Sequence, residues 1–167
     1  MKSVLISIRP EWCEKIASGE KTVEVRKTRP KIEQPFKCYI YCTVGDGATG
    51  DILPNSGVTC GKVIGEFVCD KIDYWNHHIH DDDTITLERA SELSCVSEDD
   101  LVKYADLGHF YAWHISDLVI YDHPMELSEF RYYNVRAYIC ENGYLMPTHE
   151  ITRPPQSWCY VEEGGAE

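Results

Sequence analysis

Residues 7–27, SIRPEWCEKIASGEKTVEVRK, constrain the fold more tightly than any other part of this chain. Val4, Ile6 and Ile8 alternate with Leu5 and Ser7, a pattern that predicts a mostly buried strand. Pro10 has a φ already suited to a first helical turn and needs no N–H there, so it predicts a helix start. Trp12, Cys13, Ile16 and Ala17 supply that helix with one apolar face, and Gly19 supplies the left-handed residue that ends it. Thr22-Val23-Glu24-Val25-Arg26 then alternates with period two. Same-face neighbours on a strand stand roughly 6–7 Å apart. Glu24 and Arg26 are therefore placed to pair or to flank a ligand, with Lys21 at the strand's start.

The charge of the chain is unevenly spread. Residues 1–37 carry nine lysines and arginines against five carboxylates, a balance of +4; residues 38–167 carry seven against twenty-three, a balance of −16. An acidic body repels phosphate backbones, and duplex binding needs several neutralised phosphates, so a long duplex is disfavoured. A focused basic mouth suits a nucleoside, a nucleotide or a short single-stranded RNA better. The same acidity also suits a basic protein partner.

Length and composition fit one domain over residues 1–161 with a loose tail at 162–167. No stretch approaches the ~18 apolar residues of a membrane span, and no signal-peptide pattern is seen, which together point to a cytoplasmic protein with no membrane association. Most of the eight cysteines lie in strand-like apolar runs, where they are expected as reduced, buried thiols. Cys38 and Cys42 would stand about 13 Å apart on an extended strand, too far to share a metal. The run from His77 to Asp83 has transition-metal ligand types but no helical spacing, so no metal and no cofactor are expected.

Further strands are expected at Phe36–Thr43, Lys62–Ile72 and His109–Tyr121, and helices over Thr84–Ser94 and Glu98–Asp106, the latter capped by Ser97. Gly45 to Gly61 carries five glycines but no phosphate-loop spacing; it reads as a hairpin insertion or a lid. Met125–Phe130 reads as a helical turn, and Ala137–Met146 as a hairpin turning at Asn142-Gly143. Glu66 is a carboxylate between apolar strand neighbours, which either perturbs its pKa or obliges it to find a cation.

Ser7-Ile8-Arg9-Pro10, the Ile16-Ala17-Ser18-Gly19-Glu20-Lys21 turn and Val23-Glu24-Val25-Arg26-Lys27 resemble the signature of the ASCH domain family, of its phage and bacterial type. Segments around Tyr39–Thr43, Gly61–Phe67, Tyr111–Ile115 and Pro155–Cys159 are similar to it as well. The resemblance implies an α+β fold related to PUA domains, a small mixed or antiparallel β-barrel with flanking helices. It also implies a cleft beside the first helix suited to a nucleobase or short RNA. Arg9, Lys21, Arg26 and Lys27 would meet phosphates or carbonyls there, Trp12, Tyr41 or Trp113 would stack a base, and His114 and Ser157 belong to the similar segments.

Some members of the family remove an acyl group from a modified cytidine with a Lys, a Thr three residues on and a distant Glu. Lys21 matches the first position, Glu24 stands where the Thr would be, and Glu66 or Glu92 would be the distant carboxylate, Glu66 being the better placed. A binding module is thus the first reading. A hydrolase with Lys21, Glu24 and Glu66 as candidate catalytic residues is the alternative, and a protein-interaction domain the third.

Overall fold

The computed structural model describes residues 1–79, 84–133 and 150–162. The hairpin expected at Ala137–Met146, the end of the His/Asp run, Cys140 and most of the tail lie outside them. The described residues form two sheets and three α-helices. The first sheet has the order β7-β4-β3-β1-β8, from β1 (Lys2–Ile8), β3 (Phe36–Cys42), β4 (Lys62–Cys69), β7 (Ser116–Met125) and β8 (Trp158–Glu162). The second has the order β2-β6-β5, from β2 (Val23–Arg26), β5 (Ile72–Asn76) and β6 (His109–His114). The helices are α1 (Pro10–Ala17), α2 (Leu87–Ser94) and α3 (Glu98–Ala105). Among the described strands only β1 and β3 pair in parallel, and the crossover between them holds α1 and β2.

Three apolar layers follow from the alternation of each strand. Val4, Ile6 and Ile8 face a central core with Cys38, Ile40, Phe67 and, from the second sheet, Trp113; Cys13 and Ile16 bring α1 onto it. The opposite face of the second sheet (Val23, Trp75, Phe110, Ala112) is covered by Ala90 of α2 and Leu101 and Ala105 of α3. Leu5, Tyr39, Tyr41, Val63, Phe130, Ile151 and Val161 make an outer layer on the far side of the first sheet. Both faces of β1 are therefore buried from Ser3 onward, with Ser3 and Ser7 as its buried polar positions.

The expected barrel is corrected: no closed barrel is found among the described residues. The chain instead turns two corners. Asp70 and Lys71 carry it from β4 in the first sheet to β5 in the second, and Ile115 carries it back from β6 to β7. At the corners the Lys71 carbonyl accepts from the His114 N–H at 2.9 Å, and the Thr22 carbonyl from the Ile115 N–H at 2.9 Å. Strands that switch sheets through such bends produce packed sheets with corners rather than a continuous ladder. Between the edge strands β2 and β8 the link is made by side chains: Trp158 Nε1 donates to Thr28 Oγ1 at 3.0 Å and Arg26 Nη1 to Ser157 Oγ at 3.2 Å.

The other elements lie close to expectation. Thr86 and Ser97 cap α2 and α3 through side-chain oxygens that accept from the N–H groups of Arg89 and Asp100. The strand pair or long bent strand expected at His109–Tyr121 is a pair, β6 and β7, parted at Ile115 where the chain changes sheets. The long strand expected at Lys62–Ile72 ends at Cys69, and the expected helical turn is a single 3-10 turn at Leu127–Glu129. Residues 45–61 form a hairpin closed by the Ile52–Thr59 bridge, with Val58 and Cys60 seated in the central core. The seven described cysteines are free thiols. Burial pushes Cys69 up to about 12 and Cys60 and Cys159 up to about 11, so these three stay protonated at neutral pH. No helix among the described residues is long and apolar enough to cross a membrane.

Gly65 marks the tightest strand contact. A Cβ there would lie 2.3 Å from the Val119 carbonyl oxygen and 3.1 Å from Ile120 Cα, at a point where the β4–β7 register shifts. Gly65→Ala should destabilise the protein by about 1–3 kcal/mol through overpacking. A lowered urea midpoint with an unchanged m-value is the expected readout; an unchanged midpoint would mean that β7 is not held against β4 at this point.

Candidate ligand-binding site

The local chemistry of α1 and the turn after it delivers a lysine into the protein. Ser18 closes the helix, Gly19 takes φ 80°, and the Lys21 N–H returns to the Lys15 carbonyl at 2.9 Å. The chain is thereby reversed, and the Lys21 side chain runs inward to 2% exposure. Its Nζ donates to the Ser94 carbonyl in the last turn of α2 at 2.9 Å and lies 5.2 Å from the centre of the Trp12 ring. A helix C-terminus presents unpaired carbonyls and partial negative charge, so a cation from another element is well placed there.

Glu24 is the counter-ion. It sits on β2 directly opposite Trp113 of β6, at 6% exposure. One carboxylate oxygen lies 3.2 Å from Lys21 Nζ and the other 2.8 Å from Arg26 Nη2. Arg26 in turn donates to the Ser7 carbonyl at 2.6 Å and to Ser157 Oγ at 3.2 Å, leaving its buried Nε with no partner. Ser157 also accepts the Ser7 N–H at its carbonyl, at 2.9 Å. One buried carboxylate thus joins two cations that reach the end of α2, the end of β1 and the approach to β8.

This cluster forms one wall of a cavity of about 910 Å³, within the size range of small-molecule sites. Of the residues expected at a cleft, Arg9, Trp12, Lys21, Glu24, Arg26, Lys27 and Ser157 line it. Residues that sequence reasoning did not place there include Ser7, Thr28, Thr43, Ser97, Asp100 and Tyr104. Ser97 and Asp100 are legible as a helix cap; that the same cap faces Trp12 and Lys27 across a cavity is a tertiary fact. Lys27 Nζ lies 5.1 Å from the centre of the Tyr104 ring. Burial raises the Tyr104 hydroxyl above its ordinary value despite the nearby Arg26 charge, so it remains a hydrogen-bond donor at neutral pH.

Four expected site residues lie elsewhere. Tyr41 is buried in the outer layer, on the far side of the first sheet. Trp113 is 0% exposed in the central core, edge-on to Phe36, and offers no open ring face. His114 turns to the other face of β6 and bonds Asp73 at 2.7 Å. Glu66 does not line the cavity; its oxygens meet Lys37 Nζ at 2.9 Å and the Tyr121 hydroxyl at 2.6 Å. The carboxylate read as needing a cation has one, Lys37 of β3. Glu92 lies on α2 beside Arg89 and is likewise absent from the cavity wall. No residue of 45–61 lines the cavity either, so the hairpin is not a lid over it. Among the described residues no group of three His, Cys, Asp or Glu side chains could hold a metal ion.

The model of the family described as the ASCH domain matches residues 6–139. Among solved structures, the ASCH protein of Zymomonas mobilis is similar at 21% identity and TM-score 0.59, over 96% of this chain and 88% of that one. Its serine-to-alanine variant is similar at 22% identity and TM-score 0.62, over 97% of this chain and 89% of that one. A tyrosine-to-phenylalanine variant of it is similar at 20% identity and TM-score 0.62, over 98% of this chain and 93% of that one. No curated protein matches the chain.

Two outcomes follow from the charges. Glu24→Gln keeps the volume but leaves Lys21 buried without its counter-ion, and should cost about 3–5 kcal/mol. Denaturation at the wild-type midpoint would show that the pair is not needed to hold the fold. At Glu66, burial alone would raise the carboxyl, but the Tyr121 hydroxyl and Lys37 ammonium more than offset it and hold it below its ordinary value. Its stabilising contribution is therefore present above the unfolded carboxylate pKa and lost as pH falls through the lower folded one. Glu66→Gln should be less stable than wild type at neutral pH, with the deficit shrinking as the pH is lowered through the carboxylate range; a deficit that does not change in acid would contradict this.

Proposed function

The chain belongs to the ASCH domain family, and on that premise we propose that it is a binding module for one nucleotide unit, of a short single-stranded RNA or of a modified nucleoside, held in the cavity beside α1. The observation that carries this reading is the Lys21–Glu24–Arg26 cluster on the cavity wall. Glu24 is a fixed carboxylate acceptor, suited to the exocyclic amino group of a base. Trp12, half-buried at the wall, supplies a ring for stacking, and the exposed Arg9 and Lys27 supply cations for a phosphate at the mouth. The cavity volume of about 910 Å³ accommodates a nucleotide. The acidic remainder of the chain supports one short ligand over a long duplex.

A second reading draws on the same buried pair, Lys21 and Glu24 at 3.2 Å: hydrolysis of an acylated cytidine, with Glu24 activating water. Each Glu24 oxygen meets one cation and keeps a lone pair for a further donor, so a base or a water can be accepted there. Activating water also requires Glu24 to take a proton, which would break its ion pairs with Lys21 and Arg26; binding requires no such loss and is the reading favoured here.

Thermal-shift scans with cytidine, its N4-acylated form, cytidine monophosphate and short RNAs test the proposal. A ligand at 100 times its dissociation constant adds about 2.7 kcal/mol of stability. We expect such a shift with a nucleotide or short RNA, weaker in high salt and weaker in an Arg9→Ala/Lys27→Ala double variant. Conversion of the acylated nucleoside would establish the hydrolase instead. Silence across the whole panel would overturn both and leave a protein partner as the reading.

A further inference from the structure

The face of β6 that carries Trp113 into the core continues outward as Tyr111 and His109, because alternate residues of a strand share a face. Tyr111 stands directly opposite Arg26 on β2 and opposite Tyr74 on β5. The Tyr74, Tyr111 and His109 rings lie 5.3, 5.4 and 5.5 Å from one another, centre to centre. All three are half-buried. Arg29, exposed, sets its guanidinium 5.6 Å from the centre of the Tyr111 ring. The Tyr74 hydroxyl is fixed by Asn76 Nδ2 at 2.7 Å, so that ring is held in place.

We propose that this aromatic face is a second subsite, which stacks the nucleotide adjoining the one in the cavity, so that the ligand is a single-stranded oligonucleotide rather than a free nucleoside. The inference rests on the cavity reading above and extends it. Three observations select the occupant. The face adjoins the cavity wall, since Tyr111 is the cross-strand neighbour of Arg26, and Lys27 and Thr28 of the wall lead directly to Arg29. Besides Arg26, which is paired with Glu24, residues 25–32 carry the exposed cations Lys27, Arg29 and Lys31 and no carboxylate, which matches a phosphodiester passing from one subsite to the other. Flat rings beside a guanidinium are the means by which proteins stack successive unpaired bases without reading their sequence. A duplex could not present its bases to such a face.

Calorimetric titration with cytidine monophosphate and with pentacytidylate separates the two subsites, using wild type, Arg29→Ser and Tyr111→Leu. Melting scans of each variant confirm its fold, and Arg29, being exposed, is the variant least coupled to stability. The oligonucleotide should bind wild type at least about tenfold more tightly than the mononucleotide, more than its multiple binding registers provide. Each substitution should weaken the oligonucleotide about fivefold or more and leave the mononucleotide unchanged. If cytidine monophosphate binds but the oligonucleotide is no tighter, or if the substitutions weaken both ligands equally, the second subsite is wrong while the cavity reading stands. If neither ligand binds, the cavity reading fails and the subsite with it.

Discussion

The Glu24 carboxylate, held between Lys21 and Arg26, is the interaction on which the arrangement of this protein most depends. Through Lys21 it reaches the Ser94 carbonyl at the end of α2, and through Arg26 the Ser7 carbonyl at the end of β1 and the Ser157 hydroxyl before β8. Three segments far apart in sequence are fixed by one buried charge cluster. Such a cluster costs desolvation, and replacement by apolar groups of the same shape can be neutral for stability. A carboxylate and two cations with fixed directions stand on the cavity wall, and the proposed binding of a polar heterocycle rests on them.

The two corners of the sheets explain why the cavity is where it is. At Asp70-Lys71 and at Ile115 the chain passes between sheets, so one side of the structure is closed by backbone. On the other side the edge strands β2 and β8 are linked by the side chains of Arg26 and Trp158. A ladder of backbone hydrogen bonds there would leave no space for polar side chains to face a ligand. The seam bridged by side chains instead leaves Arg26 on the cavity wall, and α1, with the α2–α3 junction, walls it in.

How much of this was legible in the sequence depends on whether the signal was local. Pro10, Gly19 and the alternation of residues 22–26 fix α1, its end and the shared face of Glu24 and Arg26, and the structure shows each of them. The Ser94 carbonyl that receives Lys21 has no side-chain signature, so no pattern could locate it. Tyr41 and Trp113 were misplaced for a different reason. β3 is covered on both faces, as is β6 at Trp113, and alternation alone cannot say which covered face borders a cavity. Glu66 shows the same limit: its pattern marks a carboxylate that needs a partner, but Lys37 and Tyr121 are neighbours only across the sheet.

The most direct test of the account is a nitrogen-15 correlation spectrum of the labelled protein titrated with cytidine monophosphate. The account predicts saturable shifts of the Trp12 indole and of the backbone at residues 21–28 and 94–97, the segments that frame the charge cluster. Saturable shifts confined to another surface, with these signals unmoved, would contradict it.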